Sequence, residues 1–491
     1  MKKRRIFPLI LLLSLVMSMF APAALALEVP QLNGQAAVLV DLDAGRVLYG
    51  YNMDAERAPA SLTKVMTVLL ALEALDAGRV SLDDMIVAQD DCLEGLEEDS
   101  STSGIGPGVS ISMKDLLYCA LLQSANEACN IIGRYISGSI SGFVDQMNRK
   151  AEQLGCQHTH FVNTNGLPAE NHYSSAYDQY LIFAEAMKYP LFMEISNTAS
   201  YSADCTAVNN GEPIGNSNAL INITSIYSNG GRYLYEGASG GNTGYTRAAG
   251  YCLVSTAQRN GVRLLAVAMG CDGALNAEIE DFYNFIDSRR LYDWGFENFS
   301  TRTLLSANEV VARLPVALAE EDAVALLRPM DEISALVPNE LPDEAVQRDV
   351  VLYSEELSAP LAAGTVLGEI RVSVAGEVFG TSKLVNSSAI ELSRSSYLTQ
   401  RVTEILSRGW VIALLIILFV FALIYITLVV RYRRLRRKHL RERKLAEKRR
   451  REARERAERG EAESVSIDPA ERFDFPADVS EFFDREENER S

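Results

Sequence analysis

Apolar and polar positions change their period several times along this chain. "AAVLVDLDAGRVLYGYN" alternates over two short runs, Ala36 to Asp41 and Arg46 to Tyr51, around a tight turn at Asp43-Ala44-Gly45; it predicts two paired strands. Pro59-Ala60 then introduces "SLTKVMTVLLALEAL", where Val65, Leu69, Leu72 and Leu75 recur at helical spacing until Gly78 stops them. "SMKDLLYCALLQ" predicts a second helix over Ser112–Gln123, running into "SANEACNIIGRYI". "AYDQYLIFAEAMKY" predicts another, with Pro190 closing it. "YCLVSTAQRNGVRLLAVAMGC" reads as two strands joined at Arg259-Asn260-Gly261, and "EIEDFYNFIDSRRLYDWGF" as a final helix. Strands, then helices, then a strand pair and a helix describe an α/β (α+β) domain.

After about Phe299 the period shortens to two. Runs such as "EVVARLPVAL" and "TVLGEIRVSVAGEVFGTSKLV", separated by Gly, Pro and acidic residues, predict a small, separate all-β domain. Trp410 to Val430 carries no charge, and a helix of that length covers about 30 Å, enough to cross a bilayer. The start, "MKKRRIFPLILLLSLVMSMFAPAALALEVP", has basic residues, an apolar run and Ala24-Leu25-Ala26, the pattern of a cleaved signal peptide. The expected organisation is therefore a signal peptide (1–26), an α+β domain (27–299), a β-rich domain (300–395), a juxtamembrane linker (396–409), a transmembrane helix (410–430), a basic helix (431–460) and an acidic disordered tail (461–491).

Charge sharpens this organisation. The 491 residues carry a net charge of −18, but it is unevenly spread: residues 27–409 hold roughly 24 basic and 49 acidic side chains, whereas 431–459 hold roughly 16 basic and 5 acidic. An acidic body excludes nucleic acid as a partner, because it would repel phosphates. Arg431, Arg433, Arg434, Arg436 and Arg437 place the C-terminal side of the span in the cytoplasm, where a basic cluster meets anionic lipid, and residues 27–409 outside. The isolated Phe473, Phe475, Phe482 and Phe483 suit a cytoplasmic partner for the tail. The seven cysteines form no C-x-x-C pair, and their odd number leaves at least one thiol without an intrachain partner. The four histidines show no ligand spacing with a cysteine, so no metal site is expected.

Ser61 and Lys64 lie three apart at a helix start, which puts both on one face. A serine hydroxyl becomes a useful nucleophile when a neighbour takes its proton, and a lysine in a desolvated pocket can do so because burial lowers its pKa. An N-cap serine beside an exposed lysine would share that spacing. Ser124 and Asn126 follow the second helix by a sharp turn and can aim a hydroxyl and an amide into one cleft, or simply cap helix ends. The Gly-rich "GASGGNTGYTRAAG" leads through Thr243 into a strand.

Ser61-x-x-Lys64, Ser124-x-Asn126 and Thr243-Gly244 have the order and spacing of the serine penicillin-binding proteins and class A β-lactamases. The words "AVLVDLDAGRVLYGYN", "ASLTKVMT", "SANEACN", "FVNTNGLPAENHYSSAYD", "GNTGYTRAAGYCLV" and "LSAPLAAGTVLGEIRV" narrow the resemblance to low-molecular-mass serine-type D-alanyl-D-alanine carboxypeptidases, over about residues 30–390. The resemblance implies a β-lactamase/transpeptidase-like domain followed by that family's β-rich domain, with no cofactor. It implies that Ser61 attacks the penultimate D-Ala carbonyl of a peptidoglycan stem peptide, with Lys64 as base and Ser124 as proton relay. Asn126 would hold the peptide backbone, Asn242, Thr243 and Gly244 would lie along the substrate with Thr243 helping to bind its terminal carboxylate, and the N–H groups of Ser61 and Tyr245 would form the oxyanion hole; β-lactams would acylate Ser61.

Two departures stand out. The family's third motif is Lys-Thr-Gly, and here Asn242 takes the lysine's place. Losing one charge-assisted contact there is worth roughly 1.5–3 kcal/mol, about one to two decades in rate. Relatives also carry an arginine before the last helix, whereas "CDGALNAEIEDF" has no basic residue; Arg247 or Arg263 can substitute. A working carboxypeptidase and a degenerate homologue that binds wall peptide or a protein partner without efficient hydrolysis both remain open. His172, in "NHYSSAYD", is expected to be structural.

Overall fold

Ala36, Val38 and Val40 face one apolar cluster, while Ala37 and Leu39 face another, so the first strand is buried on both sides. That double burial defines the domain: a sheet sandwiched between helical layers. The computed structural model describes residues 29–97, 100–274, 280–320, 323–354 and 356–460. The expected signal peptide and acidic tail lie outside the described residues, as does part of the 271–282 segment.

The sheet comprises β1 (Ala36–Asp41), β2 (Arg46–Tyr51), β3 (Ala238–Thr246), β4 (Gly250–Arg259) and β5 (Val262–Cys271), in the order β2-β1-β5-β4-β3, with antiparallel neighbours. β4 and β5 turn at Asn260-Gly261, both with positive φ, as a two-residue hairpin requires. β3 is thereby left at an edge. The first helical layer is built from α1 (Thr63–Asp76), α2 (Met113–Leu122), α3 (Asn126–Ser137), α4 (Ile140–Gln153), α5 (Ala176–Ala186) and α6 (Pro190–Asn197). On the other face lies α7 (Tyr283–Asn298), whose Phe285, Leu291 and Tyr292 cover Leu39, Leu253 and Ala266.

Some expectations need correction. The spacing of Val65, Leu69 and Leu72 suggests one apolar stripe on α1, yet Lys64 and Thr67 are as buried as they are. The helix runs through the centre of the domain, with α2, α3, α4, α5 and α6 packed around it. Pro190 does not close the preceding helix, which ends at Ala186. It opens α6, because a residue without an N–H fits a first helical turn at no cost. The last helix begins at Tyr283, after a non-helical Glu280–Phe282. All seven cysteines are free thiols; Cys119 and Cys129 are buried, and burial pushes each up to about 12, which keeps them inert.

β6 (Phe299–Leu305) continues directly from α7 and pairs with β9 (Ile333–Pro338). The remaining strands are β7 (Ala312–Ala317), β8 (Val324–Pro329), β10 (Val346–Leu352), β11 (Leu357–Ser358), β12 (Val366–Val374) and β13 (Glu377–Asn386). They form a six-stranded sheet in the order β10-β12-β13-β8-β7-β11. This β-rich domain is less separate than its texture suggests. Arg46 of β2 donates to the Leu336 carbonyl at 2.8 Å, pairs with Glu377 at 3.0 Å and stacks on Phe379.

The segment expected as a linker is helical: α8 (Arg394–Ser407) is capped by Ser393. Arg408 breaks the helix, and α9 (Gly409–Glu458) follows without interruption through both the apolar stretch and the basic stretch. α9 is long and apolar enough to cross a membrane. Its basic half carries i,i+4 pairs such as Lys448–Glu452, which support a solvated helix.

Candidate active site

Ser61 sits in a single 3-10 turn, Ala60–Leu62, that feeds α1. Ala60 adopts φ 49°, a left-handed conformation that costs a residue with a Cβ about 1–2 kcal/mol. Ser124, between α2 and α3, is also left-handed at φ 60°. Two strained residues thus flank one cleft, a concentration typical of functional sites.

The cleft, of about 460 Å³, is lined by Ser61, Ser124 and Asn126 on one side and by Thr243, Gly244 and Tyr245 on the other. At its base lies Lys64, fully buried. Its Nζ contacts Ser61 Oγ at 2.8 Å, Asn126 Oδ1 at 2.8 Å and the Asn165 carbonyl at 2.7 Å. These three acceptors saturate an ammonium. When the amine is neutral, its lone pair must accept a hydrogen from one of the three. Only the serine hydroxyl has one to give. Deprotonating Lys64 therefore turns the Ser61 O–H towards it, the orientation in which the amine can take the proton.

Burial pushes Lys64 down to about 8, against the opposing pull of Cys129 and Glu127. About a tenth of the amine is then neutral at pH 7, some 300 times more than for an ordinary lysine. Glu127, itself buried, is raised by desolvation, and its carboxylate accepts from Ser103 N at 2.6 Å. Together with the Asn126 N–H to Ser101 carbonyl bond (2.9 Å), this holds the 101–105 loop beside Ser124.

Edge strand β3 supplies the opposite wall. Its register with β4 slips between Ser239 and Asn242, where Gly240 and Gly241 take φ of 58° and 127°. Such a bulge re-aims the side chains that follow it. Asn242 points under the cleft: it is 1% exposed, donates from Nδ2 to the Ser61 carbonyl at 2.7 Å, and is not among the lining residues. Its Oδ1 is buried without a protein hydrogen-bond partner. Expected along the substrate, Asn242 instead braces the turn that carries Ser61. Gly244 is required for another reason. A Cβ there would lie 2.9 Å from Ser61 N and 3.1 Å from Ala60 Cβ, so only glycine lets the strand approach the Ser61 amide this closely. Thr243 Oγ1 lies 2.6 Å from Ser217 Oγ. Ser124 Oγ is buried and makes no hydrogen bond to another group among the described residues.

His172 is structural, as expected. Its Nδ1 accepts from Val162 N at 3.0 Å, its Nε2 meets Thr63 Oγ1 at 3.0 Å, and burial lowers it to about 4. The two arginines named as possible substitutes for a cation separate cleanly. Arg263 is held by Asp43 on the far side of the hairpin, whereas Arg247 lines the cleft. Asn165 and Ser217 have no counterpart among the expected site residues. Asn165 acts through its backbone carbonyl, which no side-chain pattern reports; Ser217 lies in a loop with no motif of its own.

Residues 23–273 match the family described as D-alanyl-D-alanine carboxypeptidase, and residues 299–392 match the C-terminal domain of penicillin-binding protein 5. The D-alanyl-D-alanine carboxypeptidase DacA of Escherichia coli (strain K12) is 31% identical over 360 residues, covering 73% of this chain and 83% of that relative. DacF of Bacillus subtilis (strain 168) is 29% identical over 399 residues, covering 79% and 95%. Penicillin-binding protein 5 from Haemophilus influenzae superposes with a TM-score of 0.55 at 27% identity, covering 74% of this chain and 99% of that one. Relatives that share both domains bear the name of a hydrolase, which favours the hydrolytic reading over the degenerate one. With a Ser-Lys pair already seated under an edge-strand cleft and both domains matched in order, this chain belongs to the serine-type D-alanyl-D-alanine carboxypeptidase family, Peptidase S11.

Proposed function

We propose that Ser61 of this carboxypeptidase attacks the carbonyl joining the last two D-Ala residues of a peptidoglycan stem peptide. Neutral Lys64 takes the hydroxyl proton as Oγ bonds to carbon, and the N–H groups of Ser61 and Tyr245 stabilise the oxyanion. Ser124 gives its proton to the leaving amine and takes one back from the Lys64 ammonium, which restores the neutral amine, and the terminal D-Ala departs. Water then attacks the ester on Ser61 and frees the shortened peptide. Asn126, with its Oδ1 committed to Lys64, keeps its NH2 group for the peptide backbone, and Thr243 with Ser217 takes the terminal carboxylate. β-Lactams follow the acylation path and stop at the ester.

The observation that carries this reading is the 2.8 Å contact between Ser61 Oγ and a fully buried Lys64 Nζ. A fluorescent penicillin tests it: the chain acquires a covalent label, Ser61→Ala does not, and D-Ala appears from a pentapeptide only with Ser61 present. Absence of label on the unaltered chain removes the acyl-enzyme. For the membrane, α9 crosses once with Arg431–Arg437 on the cytoplasmic side, leaving the cleft outside with the wall. Protease added to intact spheroplasts then digests the cleft domain and spares the basic helix; the reverse pattern removes this topology.

A further inference from the structure

Thr243 and Tyr245 fall at alternate positions of β3, Arg247 opens the turn that follows the strand, and all three line the cleft. β3 pairs only with β4, and its free edge borders the cleft. Arg247 is exposed, and among the described residues it is the one cation lining the cleft and forms no ion pair. It replaces a missing charge, but at a different place. The Thr243–Ser217 hydroxyl pair marks the end proposed for the terminal carboxylate. Arg247 is four residues further on, in the turn beyond the end of β3, so it lies further along the cleft on the acyl side.

A peptide that adds to the edge of β3 runs antiparallel to it, with alternate side chains reading the strand's side chains. With its C-terminus by Thr243 and its scissile carbonyl at Gly244-Tyr245, the residue preceding the D-Ala pair lies opposite Thr246 and Arg247. A guanidinium fork is matched to a carboxylate. We propose that Arg247 is a specificity-determining residue: it binds a carboxylate on the side chain of the residue preceding the D-Ala pair. The chain thereby favours acyl donors that are acidic there over their amides. This rests on the reaction proposed above.

The test uses the full-length chain in detergent and two tripeptides, X-D-Ala-D-Ala, in which the side chain of X ends in a carboxylate or in its amide. The expected ratio of kcat/KM, acid over amide, is about tenfold. Arg247→Gln brings the ratio close to one, Arg247→Lys keeps part of it, and Arg247→Glu inverts it. A ratio of one in the unaltered chain, a preference that survives Arg247→Gln, or an equal loss on both substrates overturns the assignment. The penicillin label on the unaltered chain separates the two levels. Without label the reaction itself fails; with label and an unmoved ratio, only the role of Arg247 fails.

Discussion

Asn242→Lys would return a cation to a site where this chain has an amide. Asn242 Nδ2 and Lys64 Nζ both hydrogen-bond Ser61, one at its carbonyl and the other at its Oγ, at 2.7 and 2.8 Å. Two ammoniums on either side of Ser61, on the order of 7 Å apart, would repel each other. At an effective dielectric of about 20, that repulsion is worth about 2 kcal/mol, or more than one pH unit. Lys64 would titrate below 7 rather than at about 8, and its neutral fraction at pH 7 would rise from about a tenth to more than half. A second effect adds to the first where the lysine, two carbons longer than asparagine, reaches past the Ser61 carbonyl into the cleft: a charge beside the substrate carboxylate contributes about 1.5–3 kcal/mol to the transition state, one to two decades in rate. Because position 242 is buried, the longer side chain also costs about 1–3 kcal/mol of stability. The assay is the rate of Ser61 acylation by a fluorescent penicillin across pH 5–9, with D-Ala release alongside and thermal unfolding as a control for folding. A variant that folds but keeps both the rate and the pH midpoint of the unaltered chain would refute the idea that missing charge limits this site.

Three further outcomes follow from the same geometry. Acylation of the unaltered chain should rise about tenfold per pH unit up to a midpoint near 8 and then level off, because only the neutral amine can accept the proton; a flat profile from pH 6 to 9 would exclude Lys64 as the base. Gly244→Ala puts a methyl 2.9 Å from Ser61 N, so the backbone must give way: acylation should fall about 10²-fold and the urea midpoint should drop by the equivalent of about 1–3 kcal/mol; full activity in a folded variant would mean that the strand's approach to the amide is not needed. His172, held at about 4 against an ordinary 6.5, takes no proton in the folded state over a window where the unfolded chain does. Its contribution is present above pH 6.5 and is lost as pH falls to 4, about 3 kcal/mol in all. His172→Gln should be less stable at pH 7 but lose less over that window in urea titrations, and equal losses would assign the acid sensitivity elsewhere.

What could be read from the sequence was whatever depends on neighbours along the chain. The i,i+3 spacing put Ser61 and Lys64 on one face, the Asn260-Gly261 turn joined the strand pair, and the shift to period two after Phe299 marked the β-rich domain. Depth was not legible. A stripe of Val65, Leu69 and Leu72 is the same whether a helix covers a core or passes through one, and only the second arrangement buries Lys64 and lowers its pKa. Direction was no more legible. Whether Asn242 faces the substrate depends on one slipped residue at Gly240–Gly241, and a slip of one exchanges the two faces of a strand. That slip bears on the chemistry. The amide at 242 holds the carbonyl of the nucleophile's own turn, so it contributes geometry and no charge. On the proposed mechanism the Ser-Lys pair acts without a cation at 242, and the one guanidinium lining the cleft among the described residues, Arg247, lies in the turn beyond β3 rather than beside Ser61. On the reading proposed here, a site arranged this way retains its bond-breaking groups, works best above neutral pH, and directs its remaining positive charge at the acyl side of the substrate.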